Sequence, residues 1–328
     1  MGPVEERRRP EINYLRLSIT DRCNLACFYC QPGRDWVKLP AGEILRYEEF
    51  LHLARVAASV GIRKIRVTGG EPLVRRGVVD FLGQLRDIPG IEEICLTTNG
   101  VVLAHLAQDL YNAGVRHLNL SLDSLRPDRY RELTGGDHFD IVMAGLNQAL
   151  SLGFSPLKIN CVVLKDLNDD EVLDFADLAR RHPIQMRFIE FMPTVSKERW
   201  DRHFLPMAEV ERRLACLGPL NPQPSRPTAG PARILKPTDF RGELGFITPM
   251  SDHHCPTCNR LRLTAAGRLR ACLFAPGEID LKEPLRLGAS LEELAALFRE
   301  SMARKESLPA QSCPAPSLPS PAMVSIGG

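Results

Sequence analysis

YLRLSITDRCNLACFYC, from Tyr14 to Cys30, decides how this chain is read. Its first half, Tyr14 to Thr20, alternates apolar and polar residues as a half-buried strand does. The second half packs Cys23, Cys27 and Cys30 into eight residues, flanked by the polar Asp21, Arg22 and Asn24 and by Gln31-Pro32-Gly33. Three thiolates can hold an iron-sulfur cube by three of its irons and leave the fourth open to a small molecule. A structural zinc site closes with four ligands, commonly as two C-x2-C knuckles, and C-x3-C-x2-C does not match that spacing. Chance clustering of buried cysteines fits poorly with so polar a loop.

Downstream, short β-rich runs alternate with amphipathic stretches. Strands are expected at 14–20, 64–68, 93–98, 117–122, 157–164 and 185–191, and helices at 47–60, 103–113, 141–152 and 169–181. This is the βα repeat of a parallel sheet. With the cysteine loop after the first strand, it predicts a partial (β/α)6 barrel related to the eight-stranded TIM barrel, with reactive groups at the C-terminal ends of its strands. Polar residues do collect there: Thr68-Gly69-Gly70-Glu71-Pro72, then Thr97, Thr98 and Asn99, then Ser121 and Asp123, with Lys158 and Asn160 in the fifth strand and Glu190 and Met192 closing the sixth. Each alone is an ordinary cap or turn former; together they outline one rim.

After Pro193 the pattern changes to a proline-rich region, including the loop at 221–231, and then a second cysteine set, Cys255, Cys258 and Cys272. The residues between alternate apolar and basic around Ala265-Ala266-Gly267, a β-hairpin pattern that returns Cys272 towards Cys255 and Cys258. Zinc is a real rival here, with His253 or His254 as fourth ligand. The upstream motif shifts the balance to a second three-cysteine iron-sulfur cluster.

Composition agrees with an enzyme of a reducing compartment. The chain has 328 residues, 44% of them hydrophobic, a formal charge of +2 and ten cysteines. Such a charge gives no reason to invoke nucleic acid or a membrane surface, and no run of about 18 apolar residues is present. A cytoplasmic protein is expected. Cys95, Cys161 and Cys216 read as packing residues. Boundaries are expected as a flexible arm at 1–12, a barrel at 13–193, a cluster- and substrate-binding region at 194–306 and a flexible tail at 307–328 that ends in Gly327-Gly328.

CNLACFYC resembles the signature of the radical S-adenosylmethionine (SAM) family, C-x3-C-aromatic-x-C, with Tyr29 in the aromatic slot. Arg16 before Ser18, the segment CPTCNRLRLT from Cys255 and the terminal diglycine resemble one branch of it, the GTP-cyclising enzymes that begin molybdenum cofactor (molybdopterin) biosynthesis. The resemblance spans 13–274 and resumes at the C-terminus. It implies a lyase that forms (8S)-3',8-cyclo-7,8-dihydroguanosine 5'-triphosphate with two 4Fe-4S clusters and SAM. By the same resemblance, Cys23, Cys27 and Cys30 hold the first cluster and Cys255, Cys258 and Cys272 the second. Tyr29, Gly70, Ser121 and Met192 face SAM. Arg16, Arg66, Thr97 and Lys158 hold the triphosphate, Arg260, Leu261 and Arg262 face the substrate, and Arg260, Arg262, Gly327 and Gly328 serve catalysis. A homodimer, an electron donor protein and a downstream enzyme forming a cyclic pyranopterin are the implied partners. Two other readings are a peptide-modifying maturase with an auxiliary cluster and a zinc-stabilised binding protein without catalysis.

Overall fold

Six strands alternate with helices through the first part of the chain, in a computed structural model that describes residues 11–30, 37–224, 230–252 and 257–308. They are β1 (Tyr14–Ser18), β2 (Lys64–Thr68), β3 (Glu93–Thr98), β4 (His117–Ser121), β5 (Leu157–Val163) and β6 (Ile184–Glu190). Neighbours pair in parallel: Arg16 lies opposite Arg66, Arg66 opposite Cys95, Asn119 opposite Lys158 and Asn160 opposite Arg187. The connecting helices are α1 (Tyr47–Ser59), α2 (Val78–Arg86), α3 (Leu103–Asn112), α4 (Pro127–Thr134), α5 (Phe139–Leu152) and α6 (Val172–Arg181). In α1 the residues Phe50, Leu53, Ala54 and Ala57 recur at helical spacing and are buried. Helix α5 stops at Gly153, whose φ of 76° suits a residue without Cβ.

The two faces of these strands differ in kind. Leu15, Leu17, Ile65, Val67 and Leu96 join the hydrophobic core, each contributing about 1.5 to 3 kcal/mol by leaving water. Arg16, Arg66, Thr97, Asn119 and Lys158 point the other way, into the barrel. Small barrels normally fill that space with branched apolar side chains. A polar interior here marks a ligand cavity instead of a packed centre.

The remaining chain forms α7 (Lys197–His203), α8 (Met207–Leu214), β7 (Leu220–Pro222), β8 (Arg233–Pro237), β9 (Glu243–Ile247), β10 (Arg260–Leu263), β11 (Arg268–Arg270), β12 (Ile279–Asp280), α9 (Lys282–Arg286) and α10 (Leu291–Glu306). Two of these strands extend the expected six. β10 pairs in parallel with β1, and β9 pairs in parallel with β6. The order is β12-β11-β10-β1-β2-β3-β4-β5-β6-β9-β8-β7, an open sheet whose ends do not hydrogen-bond to each other among the described residues. The hairpin at Ala265-Ala266-Gly267 forms as expected, β10 running antiparallel to β11 with Gly267 at φ 78°. Cys161 is buried, whereas Cys216 is exposed, a correction to its reading as a packing residue. It sits in the short turn Ala215–Leu217 after α8, none of whose residues is buried. Among the described residues no helix is long and apolar enough to cross a membrane.

Candidate active site

The cysteine loop leaves β1 and is knitted at once to the end of β2. Gly70 N donates to Thr20 O at 2.6 Å and Glu71 N to Arg22 O at 2.8 Å. A Cβ at Gly70 would stand 2.2 Å from the Arg22 carbonyl oxygen, and one at Gly69 2.8 Å from that of Thr20. Both glycines are therefore required by the loop's own backbone. On its far side the loop docks on α4: Ala26 N and Phe28 N donate to Thr134 O and Leu133 O, each at 2.9 Å. Phe28 and Tyr29 pack against a small apolar cluster of Leu133, Leu164, Phe191 and Trp200.

Cys23, Cys27 and Cys30 all line one cavity of about 330 Å³, and none is in a disulfide. Cys23 Sγ accepts from Leu25 N at 3.4 Å and Asn99 Nδ2 at 3.6 Å. Burial pushes its thiol up, and pushes Cys27 well up with the help of Cys30 and Asp123. Three cysteines lining one cavity, the thiols of Cys23 and Cys27 pushed up when no cation is near and Cys23 Sγ already carrying N–H donors, fit a cationic iron-sulfur cluster. Tyr29, Gly70, Ser121 and Met192 line the same cavity. Tyr29 is fixed there by its hydroxyl, which donates to Asp123 Oδ2 at 2.6 Å. Glu190, expected on the rim, is instead consumed by the backbone: it accepts from Met207 N at 2.9 Å and from Met250 N and Ser251 N at 3.0 Å.

The cavity is strongly cationic. Arg16, Arg66, Lys158, Arg260 and Arg262 face it together with Thr97, as the sequence suggested. Leu261 does not: strand alternation turns it into the hydrophobic core, so its side chain is no cavity residue. Lys64, Arg187 and Lys305 were not anticipated and line it too, making eight cationic side chains against the single carboxylate of Glu71 among the described lining residues. Burial, with neighbouring cations adding to it, lowers Arg16 and Arg187 to about 10 and Lys158 to about 6. Thr68 Oγ1, Asn119 Oδ1 and Asn160 Oδ1 are buried there without a hydrogen-bond partner among the described residues. Such a set is built to receive a polyanion with further polar groups.

Cys258 and Cys272 line this cavity as well, so the hairpin returns Cys272 to the cavity that Cys258 and the first three cysteines share. Burial raises the Cys258 thiol, but Arg260 and Lys305 outweigh it and bring it down to about 6. Cys255, His253, His254, Gly327 and Gly328 lie outside the described residues.

A parallel α/β barrel with C-x3-C-x2-C at the C-terminal end of its first strand defines the radical SAM class. The profile described as Radical SAM superfamily matches residues 17–179, and that described as Molybdenum Cofactor Synthesis C matches 184–309. The chain is 49% identical to a GTP 3',8-cyclase of Moorella thermoacetica, over 92% of this chain and 94% of that one. It is 48% identical to that of Pelotomaculum thermopropionicum, with the same two coverages. The chain belongs to the GTP 3',8-cyclase family. Among solved structures it resembles Streptococcus suis SuiB bound to precursor peptide SuiA, with a TM-score of 0.58 at 14% identity over 88% of this chain and 67% of that one. SuiB bound to S-adenosylmethionine gives 0.57 at 14% identity, over 88% and 68%. This likeness concerns the fold alone.

Proposed function

We propose that the chain is a lyase converting GTP to (8S)-3',8-cyclo-7,8-dihydroguanosine 5'-triphosphate, the first step of molybdopterin biosynthesis. The observation that carries this reading is the basic lining of the cavity, eight Lys and Arg side chains of which Lys158 is brought down to about 6, against one carboxylate, in the cavity that the three cysteines also line. A triphosphate brings close to four negative charges, and buried guanidinium forks match its oxygens. A polypeptide main chain carries no charge of its own, and only an acidic side-chain cluster could match such a lining, which disfavours a general peptide-modifying reaction.

Cys23, Cys27 and Cys30 hold one 4Fe-4S cluster, and Cys255, Cys258 and Cys272 a second. When bound, the first cluster with SAM would supply radical chemistry toward the ribose, and the second would offer an open iron to the guanine. Tyr29, Gly70, Ser121 and Met192 contact SAM, with Tyr29 held in place by Asp123. Arg16, Arg66, Lys158 and Thr97 hold the triphosphate, and Lys64 and Arg187 add charge below them. Arg260 and Arg262 project from β10 between the triphosphate and the second cysteine set, where they keep sugar and base in reacting register. The enclosing walls exclude water from the reaction. Gly327 and Gly328 complete the site from the tail. A barrel at 13–193 and a cluster- and substrate-binding region at 194–306 divide this labour. An electron donor protein, a homodimeric assembly, a downstream pyranopterin-forming enzyme and a cytoplasmic setting complete the reading.

Anaerobic incubation of the cluster-loaded protein with GTP, SAM and a reductant, followed by chromatography and mass spectrometry, tests it. 5'-Deoxyadenosine and a cyclised nucleotide are expected together. Arg260→Ala and Arg262→Ala should each weaken GTP binding by roughly 10- to 150-fold, the effect of a lost charge-assisted hydrogen bond of about 1.5 to 3 kcal/mol, with iron content unchanged. Equal binding of ATP and GTP, or no nucleotide product, would overturn the reading.

A further inference from the structure

The end of the barrel opposite the cysteine loop carries a donor set that cyclisation does not use. Glu93 and Cys95 stand two residues apart on β3 and so face the same side of the sheet. The parallel register places His117, the first residue of β4, beside Cys95. Cys95, expected in apolar surroundings, instead has its Sγ 3.7 Å from His117 Nδ1. That nitrogen is also 3.2 Å from Glu93 Oε2, and the three ligand atoms all lie within 4.8 Å of one another.

The two spacings at His117 Nδ1 are close to those of ligands around one small cation, and the third pair lies within 4.8 Å. Zinc takes sulfur at about 2.3 Å and nitrogen or oxygen at about 2.0 to 2.2 Å in a tetrahedron, which sets neighbouring ligands about 3.3 to 3.6 Å apart. A ring nitrogen carries one proton, which cannot serve a sulfur and a carboxylate equally well, whereas an ion at their centre bonds all three. Thiolate, imidazole and carboxylate together suit zinc or a similarly soft divalent ion and not magnesium or calcium. The two negative charges match it. Lys64 Nζ lies 2.7 Å from Glu93 Oε2, but a carboxylate has two oxygens and can keep the ammonium on one while turning the other to a metal. The Glu93 and His117 side chains retain 22% and 26% exposure, so the site is reached from solvent, and water can supply a fourth ligand.

We propose that Glu93, Cys95 and His117 form a mononuclear site for a zinc-like divalent cation, which staples β3 to β4 at the N-terminal end of the barrel. Groups at that end of such barrels bear on stability, not on the reaction. The ion is therefore a structural clasp, separate from both cysteine sets.

The test uses the cluster-loaded holoenzyme, incubated anaerobically with excess zinc chloride and then desalted. About one zinc per chain should remain with iron content unchanged, and its X-ray absorption should show one sulfur at about 2.3 Å with nitrogen and oxygen near 2.0 Å. Cys95→Ala and His117→Gln should each lose that zinc, while Cys216→Ala, at an exposed thiol elsewhere, keeps it. His117 is partly exposed, so its variant decides the matter if Cys95→Ala fails to fold. Absence of zinc in the wild type, equal retention by a folded variant, or a shell of three sulfurs, which places the ion on the cluster cysteines, overturns the proposal.

Discussion

Glu71 accepts the backbone N–H of Asn99 at 2.7 Å, and the Asn99 side-chain amide reaches on to Cys23 Sγ at 3.6 Å. The same carboxylate accepts from Thr98 Oγ1 at 2.7 Å and Leu73 N at 3.0 Å. One buried side chain thereby ties the ends of β2 and β3 together behind the cysteine loop, and the position of Cys23 depends on it.

Glu71→Gln keeps the size but replaces an accepting oxygen with a donor, so at least one buried N–H or O–H loses its partner. The loss should cost about 1 to 3 kcal/mol. A lower melting temperature and poorer iron retention are expected, with the exposed Glu92→Gln as control. Unchanged melting and iron content in the Glu71 variant would show that the contact does not hold the loop.

The two cysteine sets should fail differently. Serine at Cys23, Cys27 or Cys30 should abolish SAM cleavage, whereas serine at Cys255, Cys258 or Cys272 should leave some 5'-deoxyadenosine formation without cyclised nucleotide. Chromatography of 5'-deoxyadenosine separates the cases. Normal nucleotide turnover by Cys272→Ser would remove the second set from the mechanism.

Much of this arrangement was legible in the sequence, and its gaps have physical causes. The strands β2 and β3 fall where their β-branched runs predict, and the glycines and polar residues at strand ends mark the rim. Strand alternation shows which face a residue takes but not which strand lies beside it, so the parallel seating of β10 on β1 and of β9 on β6 was not readable. Lys64 and Arg187 were missed because a charge in an alternating strand looks the same whether it faces water or an enclosed polar cavity. Glu190 misled in the opposite sense: its carboxylate is spent on backbone N–H groups of 207, 250 and 251, which are remote in sequence.

Lys158 should report nucleotide binding through a proton. Burial, then Arg187 and Arg66, bring its ammonium down to about 6, so near neutral pH the amine is mostly uncharged. A bound polyanion raises that value again. Calorimetry at about pH 7.5 in buffers of different ionisation heat should show uptake of up to about one proton per nucleotide, lost in Lys158→Met. For the fold alone the sign is fixed: between about 6 and the ordinary 10.5 the unfolded chain binds more protons, so the Lys158 contribution to stability rises with pH. Identical proton uptake by wild type and variant would contradict this.

Deleting Gly327 and Gly328 should leave folding, iron content and SAM binding intact and abolish cyclisation. Residues without side chains enter narrow channels that others cannot. A peptide of the last residues, added in trans, should restore part of the activity. Wild-type cyclisation by the truncated enzyme would make the tail dispensable.

The pairing of β10 with β1, Arg262 opposite Arg16, also has a meaning in time. On a ribosome the outer edge of β1 waits for a partner about 250 residues further along, which at about 5 to 20 residues per second is roughly 10 to 50 s. Throughout that interval the strand that launches the cysteine loop is a bare edge, open to wrong partners. Residues 260–263 must leave the ribosome before the wall beneath the first three cysteines is whole, so their pocket matures long after the loop that carries them is made.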